Sequence, residues 1–146
     1  MSKQAGFTIV ELLMVVVLIG LVAAIGIPRL RDNMQKQNVR SARSAATTLV
    51  AKARAASVQR GCATTLQVVS GRVWVETCRT TGATTTDTLG GIENLAARFN
   101  VTVTPSQSSL VFTPRGMTQG GTMTIRFTSS TATDSIMVNQ VGKVVR

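Results

Sequence analysis

The sequence predicts an α+β fold, in which a long N-terminal helix, first hydrophobic and then amphipathic, packs against a C-terminal antiparallel β domain. Three observations point there. Phe7 to Ile27 is an apolar run interrupted by a single charge, and as a helix these 21 residues would rise about 31 Å, enough to cross a bilayer core. From Arg29 to about Arg60 the apolar residues recur with a helical period, with Gly61 as a stop. Beyond Gly61 the period drops to two, in short segments separated by turn residues.

The charge inside the apolar run is Glu11. An ionisable group at membrane depth costs roughly 2.5 to 3.5 kcal/mol on insertion scales, so a partner or a task for this acid is expected. Further along, Gly20, Gly26 and Pro28 are weak points of the helix. Pro28 lacks an amide hydrogen and its ring clashes with the preceding turn, which makes a kink the minimum expectation.

The second half of the helix has two distinct faces. On a wheel of about 100° per residue, Val39, Ala42, Ala46, Leu49, Ala53 and Ala56 share one arc, while Lys36, Arg40, Arg43 and Arg54 cluster on another side. The first face is expected to dock on the β domain, its alanines permitting close approach. The basic stripe has two readings: a solvated or phosphate-facing surface, or a surface that meets partner chains of a different kind. Repeated positive charge opposes packing of like subunits, and Asp32 is the only acid between Arg29 and Arg60.

After Gly61, Thr64 to Val69 and Arg72 to Thr77 read as two strands about a Ser70-Gly71 turn, with Val73 and Val75 on one face and Trp74 on the other. A turn centred on residue 70 pairs positions summing to 140, as Cys62 and Cys78 do. This predicts a cross-strand or strand-end disulfide, the alternative being a reduced buried pair. Thr80 to Gly91 reads as an exposed Thr-rich loop, and Ile92 to Phe99 as a short helix or a strand. Val101 to Thr104, Leu110 to Thr113, Thr122 to Thr128, Ser135 to Asn139 and Lys143 to Arg146 are strand candidates, forming one sheet or two packed ones. In the third of these, Met123, Ile125 and Phe127 define one buried face.

Composition narrows the chemistry. Sixteen Lys and Arg against six acids give a net charge of +10, which favours nucleic acid, anionic lipid or acidic protein surfaces as partners. There is no His, so imidazole acid-base catalysis and His metal ligation are excluded, and two thiols alone do not make a zinc site. No hydroxyl is marked as an activated nucleophile. The expectation is a protein without catalytic residues, metal or cofactor, whose cysteines suit an oxidising compartment.

Gly6-Phe7-Thr8-x-x-Glu11-Leu12 resembles the class III signal of type IV pilins and type II secretion pseudopilins. The resemblance implies a prepilin leader at residues 1–6, cut after Gly6 by prepilin peptidase, and Phe7 as the new, N-methylated terminus. It divides the remainder into a transmembrane and assembly helix at 7–28, an amphipathic helix at 29–60 and a pilin-like β domain at 61–146. It gives Glu11 an assembly role, neutralising the terminal amine of a neighbouring subunit. It also implies a single pass through the bacterial inner membrane with a periplasmic C-terminal domain. The positive-inside rule alone would say the reverse, because Arg29, Arg31, Lys36, Arg40 and Arg43 follow the span and only Lys3 precedes it. The cysteine pair sides with the resemblance.

Two later stretches resemble the GspH/FimT branch of these proteins. One is the helix end at residues 49–60, where Ala55 stands at a position that is often Glu; the other is Phe112-Thr113-Pro114-Arg115-Gly116 together with residues 136–146. The branch implies a minor pilin or pseudopilin whose partners are other pilin or pseudopilin subunits. Some of its members bind DNA during natural transformation through a C-terminal Gly-Arg-x-Arg motif. Here Gly142-Lys143-Val144-Val145-Arg146 has the charge without the spacing. The leading expectation is a filament subunit, a structural and interaction protein; a second reading on the same scaffold has Arg115, Arg126, Lys143 and Arg146 contact phosphates of double-stranded DNA. The alternative is a structural tip or priming subunit of a type II secretion pseudopilus with no DNA binding.

Overall fold

Residues 8–79 and 86–145 are described by the structure, a computed structural model. Gly6, Phe7, Arg146 and residues 80–85 of the expected loop lie outside the described residues. The chain divides into two compact units, Met1–Met34 and Gln35–Arg146. Helix α1 (Ile9–Arg60) contributes to both.

In the first unit, Thr8 caps α1. Its Oγ1 accepts the Glu11 amide hydrogen at 3.2 Å, and its carbonyl accepts that of Leu12 at 3.2 Å. Thr8-x-x-Glu11 is thus the sequence of a capping box, with an acid in the first turn where the helix dipole favours it. The helix runs through Pro28 without a break, although proline offers the Ala24 carbonyl no amide partner. Every large apolar side chain from Ile9 to Ile27 is 50–80% exposed.

The second unit has its own core. Val39, Ala42, Ala46, Leu49, Val50, Ala53, Ala56 and Ser57 of α1 are buried, a stripe that includes all six residues of the expected docking face. Two sheets cover it. One joins β1 (Thr64–Val69), β2 (Arg72–Cys78), β3 (Thr86–Thr88), β4 (Glu93–Asn94), β6 (Ser109–Phe112) and β7 (Thr118–Gln119) in the order β3-β2-β1-β6-β7, with β4 also on β2. The other joins β5 (Thr102–Pro105), β8 (Met123–Ser129), β9 (Ala132–Val138) and β10 (Val144–Val145) in the order β10-β9-β8-β5. All pairings are antiparallel. Leu66, Val75, Leu110 and Phe112 from the first sheet and Met123, Ile125, Phe127 and Ile136 from the second join the α1 face in one apolar cluster.

Several sequence expectations are corrected in detail. The β1–β2 register pairs Thr64 with Thr77 and Val69 with Arg72, so partners sum to 141 and not 140. The reason is a two-residue turn, Ser70 and Gly71 both at positive φ (50° and 76°), which centres the hairpin between them. Cys62 and Cys78 are therefore not directly opposed. Cys62 lies before β1, and the disulfide forms at the strand end with Cα atoms 6.4 Å apart. Within the expected loop, residues 86–88 form exposed strand β3 beside β2. The ambiguous segment contains both alternatives: β4 pairs with β2, and Asn94 then caps helix α2 (Leu95–Phe99) by accepting the Ala97 amide hydrogen. The short β7 is absent from the strand candidates because two residues are too few to show an alternation.

Two turns of the second unit are built alike. Phe112 pairs with Thr118 and Val138 with Val144, so each hairpin closes over five residues, 113–117 and 139–143. In each, the first residue donates its amide hydrogen to the carbonyl of the fifth (Thr113 to Met117, 2.8 Å; Asn139 to Lys143, 3.0 Å). The glycine at the fourth position donates back to the first (Gly116 to Thr113, 2.8 Å; Gly142 to Asn139, 2.9 Å). The first side chain accepts the fifth amide hydrogen, at 3.3 Å for Thr113 Oγ1 and 2.8 Å for Asn139 Oδ1. Both glycines need positive φ (76° and 73°). The turns also meet: a Cβ on Gly142 would overlap the Gly116 carbonyl oxygen and come within 3.3 Å of the Phe112 ring.

Gly142→Ala is accordingly expected to destabilise residues 35–146 by about 2–3 kcal/mol, combining left-handed strain with the clash. Gly61→Ala, at φ 61° with open space around it, should lose only about 1 kcal/mol. Urea unfolding of the two variants checks the difference. Phe127→Ala should lose about 3–5 kcal/mol in the same assay. Reducing the Cys62–Cys78 bond should remove about 3 kcal/mol, and an unchanged midpoint after verified reduction would contradict that contribution.

Candidate functional site

Two surfaces carry the residues that the sequence marks as functional. The first is the N-terminal stretch of α1. Glu11 is exposed on the first turn, and from Thr8 to Pro28 it is the only ionisable residue. No group of opposite charge in this stretch is available to it. The apolar side chains around it form an extended exposed surface that no described residue covers. The residues Ile9–Arg60 include a window long and apolar enough to cross a membrane. Gly6 and Phe7, the expected processing site, lie outside the described residues.

The second surface lies at the paired turns. Arg115 occupies the tip of the 113–117 turn and Lys143 ends the 139–143 turn, and both are exposed. The glycine contact holds these turns together, and Thr118 reinforces it by donating its amide hydrogen to the Gln140 carbonyl at 2.9 Å, its hydroxyl lying between the carbonyls of Gly121 (2.9 Å) and Asn139 (3.2 Å). Arg54 of α1 joins them. A Cβ on Gly116 would lie 3.2 Å from Arg54 Nε, and one on Gly142 would lie 3.4 Å from Arg54 Cδ. Three cationic residues from three elements thus surround one glycine contact, and none forms an ion pair among the described residues.

Arg126 is placed elsewhere. It sits at the middle of β8, in register with Thr104 and Ser135, on the face opposite buried Ile125 and Phe127. Arg146 is outside the described residues. Of the four expected DNA contacts, the fold therefore gathers Arg115 and Lys143 and separates Arg126 from them. By periodicity Arg54 belongs only to the helix stripe, because its approach to the turns depends on contacts distant in sequence.

The basic stripe of α1 is divided by its surroundings. Arg43 Nη1 meets Asp134 Oδ2 at 2.9 Å, a half-buried pair that anchors α1 to β9. Lys36 and Arg40 remain exposed and border a recess of about 320 Å³ with Thr131 and Thr133. Gln35 carries no motif that marks it in the sequence. Its Oε1 accepts three hydrogen bonds from the β8–β9 turn: Ser130 Oγ at 2.6 Å, Thr131 Oγ1 at 2.7 Å and the Thr131 amide at 3.1 Å. At the other end of the helix, Arg60 donates to the Cys78 carbonyl at 2.7 Å. Among the described residues no group of three or more His, Cys, Asp and Glu is placed to hold a metal ion.

Comparison with known proteins agrees with this fold. Residues 1–27 match a prokaryotic N-terminal methylation motif, and residues 41–142 match the family described as type II transport protein GspH. Over 39 residues the chain is 46% identical to the fimbrial protein EcpB of Eikenella corrodens; that stretch is 27% of this chain and only 24% of that protein. Two crystal forms of the type IV minor pilin FimU of Pseudomonas aeruginosa share the fold. One gives a TM-score of 0.59 at 13% identity, covering 75% of this chain and 87% of that one. The other gives 0.56 at 14%, covering 73% and 90%. The GspH match covers α1 from residue 42 of the docking face onward, β1 to β9 and both turn glycines, so the chain belongs to the type II transport protein GspH family, on the minor-pilin and pseudopilin branch of the pilin-like proteins.

Proposed function

We propose that the protein is a structural subunit, not an enzyme, that waits in the bacterial inner membrane and is drawn into a type IV pilus or type II secretion pseudopilus. The observation that carries this reading is the Ile9–Ile27 stretch, helical, apolar on all sides, and bearing Glu11 on its first turn. In this reading residues 1–6 are the leader, cleavage after Gly6 frees Phe7 as an N-methylated terminus, and residues 7–28 are the anchor. A carboxylate in an apolar medium is stabilised by a cation placed beside it. The terminal amine of an adjacent subunit supplies one, and a slip of one residue along the helix would separate the charges. Glu11 thereby selects one packing register among apolar helices that would otherwise slide. The Cys62–Cys78 disulfide suits a periplasmic position for the β domain.

Duplex DNA binding is the second reading, favoured by the meeting of Arg115 and Lys143 at the paired turns. Contacts of this kind neutralise phosphates and release counterions, with little sequence preference. Arg126 is not part of such a site.

Glu11→Ala is expected to leave leader cleavage and membrane insertion intact while lowering incorporation into sheared filaments by roughly tenfold or more, and Glu11→Asp should restore part of it. Incorporation of the alanine variant at the normal level would remove the assembly role. For DNA, residues 35–146 should retard a duplex at low salt and lose that retardation in the Arg115→Ala, Lys143→Ala double variant. Absence of a shift at micromolar protein would discard the second reading.

A further inference from the structure

Beside the paired turns, α1 and residues 142–144 enclose an open groove of about 600 Å³. Val50, Ala51, Ala55 and Val58 provide its apolar floor, and Arg54 and Lys143 stand at its edge. Val58 is 54% exposed there. Exposed apolar side chains bordered by cations that have no ion-pair partner among the described residues define a surface with two requirements: apolar contact and negative charge.

The chain itself is poorly equipped to meet the second requirement. Residues 35–146 contain four acids, Glu76, Asp87, Glu93 and Asp134. Glu76 accepts hydrogen bonds from Trp74 and Gln67, Glu93 pairs with Arg98, and Asp134 pairs with Arg43. Only Asp87 lacks such a partner among the described residues. A second copy, also carrying a net charge of +10, would be repelled more than attracted. A DNA backbone would satisfy Lys143 but offers the floor no apolar side chains.

We propose that this groove receives a segment of a different polypeptide, one that presents apolar side chains to Ala51, Ala55 and Val58 and carboxylates to Arg54 and Lys143. This deepens the assembly reading and rests on it for the presence of neighbouring chains. It makes the basic charge a device for choosing unlike partners.

Residues 35–146 contain every member of the apolar core, so this unit is suited to the test. The probe is a short synthetic helix with leucines on one face and glutamates beside them. Titration followed by methyl NMR should move Ala51, Ala55 and Val58 resonances. Lys143→Glu and Val58→Ser, both at exposed positions, should each weaken binding about tenfold without changing the unfolding midpoint. The proposal is overturned if the probe fails to bind at millimolar concentration, or if a version with serine for leucine binds equally well. It is likewise overturned if only a DNA duplex or anionic lipid vesicles move these methyls. Because the assay contains neither membrane nor residue 11, its outcome is separate from that of Glu11→Ala.

Discussion

The small-residue face of α1 is the constraint on which the second unit depends. Four alanines, Ala42, Ala46, Ala53 and Ala56, lie among the larger Val39, Leu49 and Val50 on this face, which keeps it low enough for side chains of both sheets to reach the helix. Phe112 and Phe127 are then fully buried, one from each sheet, in a core shared with the helix. Interiors of this density leave no room for a large substituent at the alanine positions, nor for a polar one without a partner. The buried polar groups comply. Ser57 donates to the Arg54 carbonyl and Thr64 to Thr77 Oγ1, and among the described residues no buried side-chain polar atom lacks a partner.

Around that core, polar clamps fix the β domain to the helix at both ends of its buried stripe. Gln35 gathers the β8–β9 turn, Arg43 holds Asp134, and Arg60 holds the carbonyl of Cys78 beside the disulfide. The stripe of basic residues therefore has more than one role. Arg43 is consumed by structure, whereas Lys36 and Arg40 remain exposed and Arg54 reaches the glycine turns. The distinction matters for function, because only charge left over from folding can attract a partner.

The glycine turns tie the two sheets together at one place. Phe112 and Gly116 are distant in sequence from Gly142 yet meet it where two hairpins of the same construction, one from each sheet, come together. Neither glycine tolerates a Cβ without strain, and Gly142 also lacks the space for one. The same contact positions Arg115 and Lys143. Stability and surface chemistry are thus coupled at this point: the backbone geometry that joins the sheets also sets where the cations project.

Much of this was legible in the chain because it follows from local periodicity. Apolar residues at period 3.6 specified the docking face, alternation in 123–128 specified the inward side of β8, and Gly61 specified the helix end. The Thr8–Glu11 cap is local too, carried by the Thr-x-x-Glu spacing alone. The disulfide was reachable from strand spacing, but its register was not: a turn of two positive-φ residues shifts every pair by one position. What only the tertiary structure decided are the encounters between distant segments. Ion pairing of Arg43, the three hydrogen bonds to Gln35, the separation of Arg126 from Lys143 and the approach of Arg54 to Gly116 all depend on how two sheets close over one helix. A sequence records which side each residue faces, whereas neighbours across 60 or 90 positions are set by packing the whole core at once.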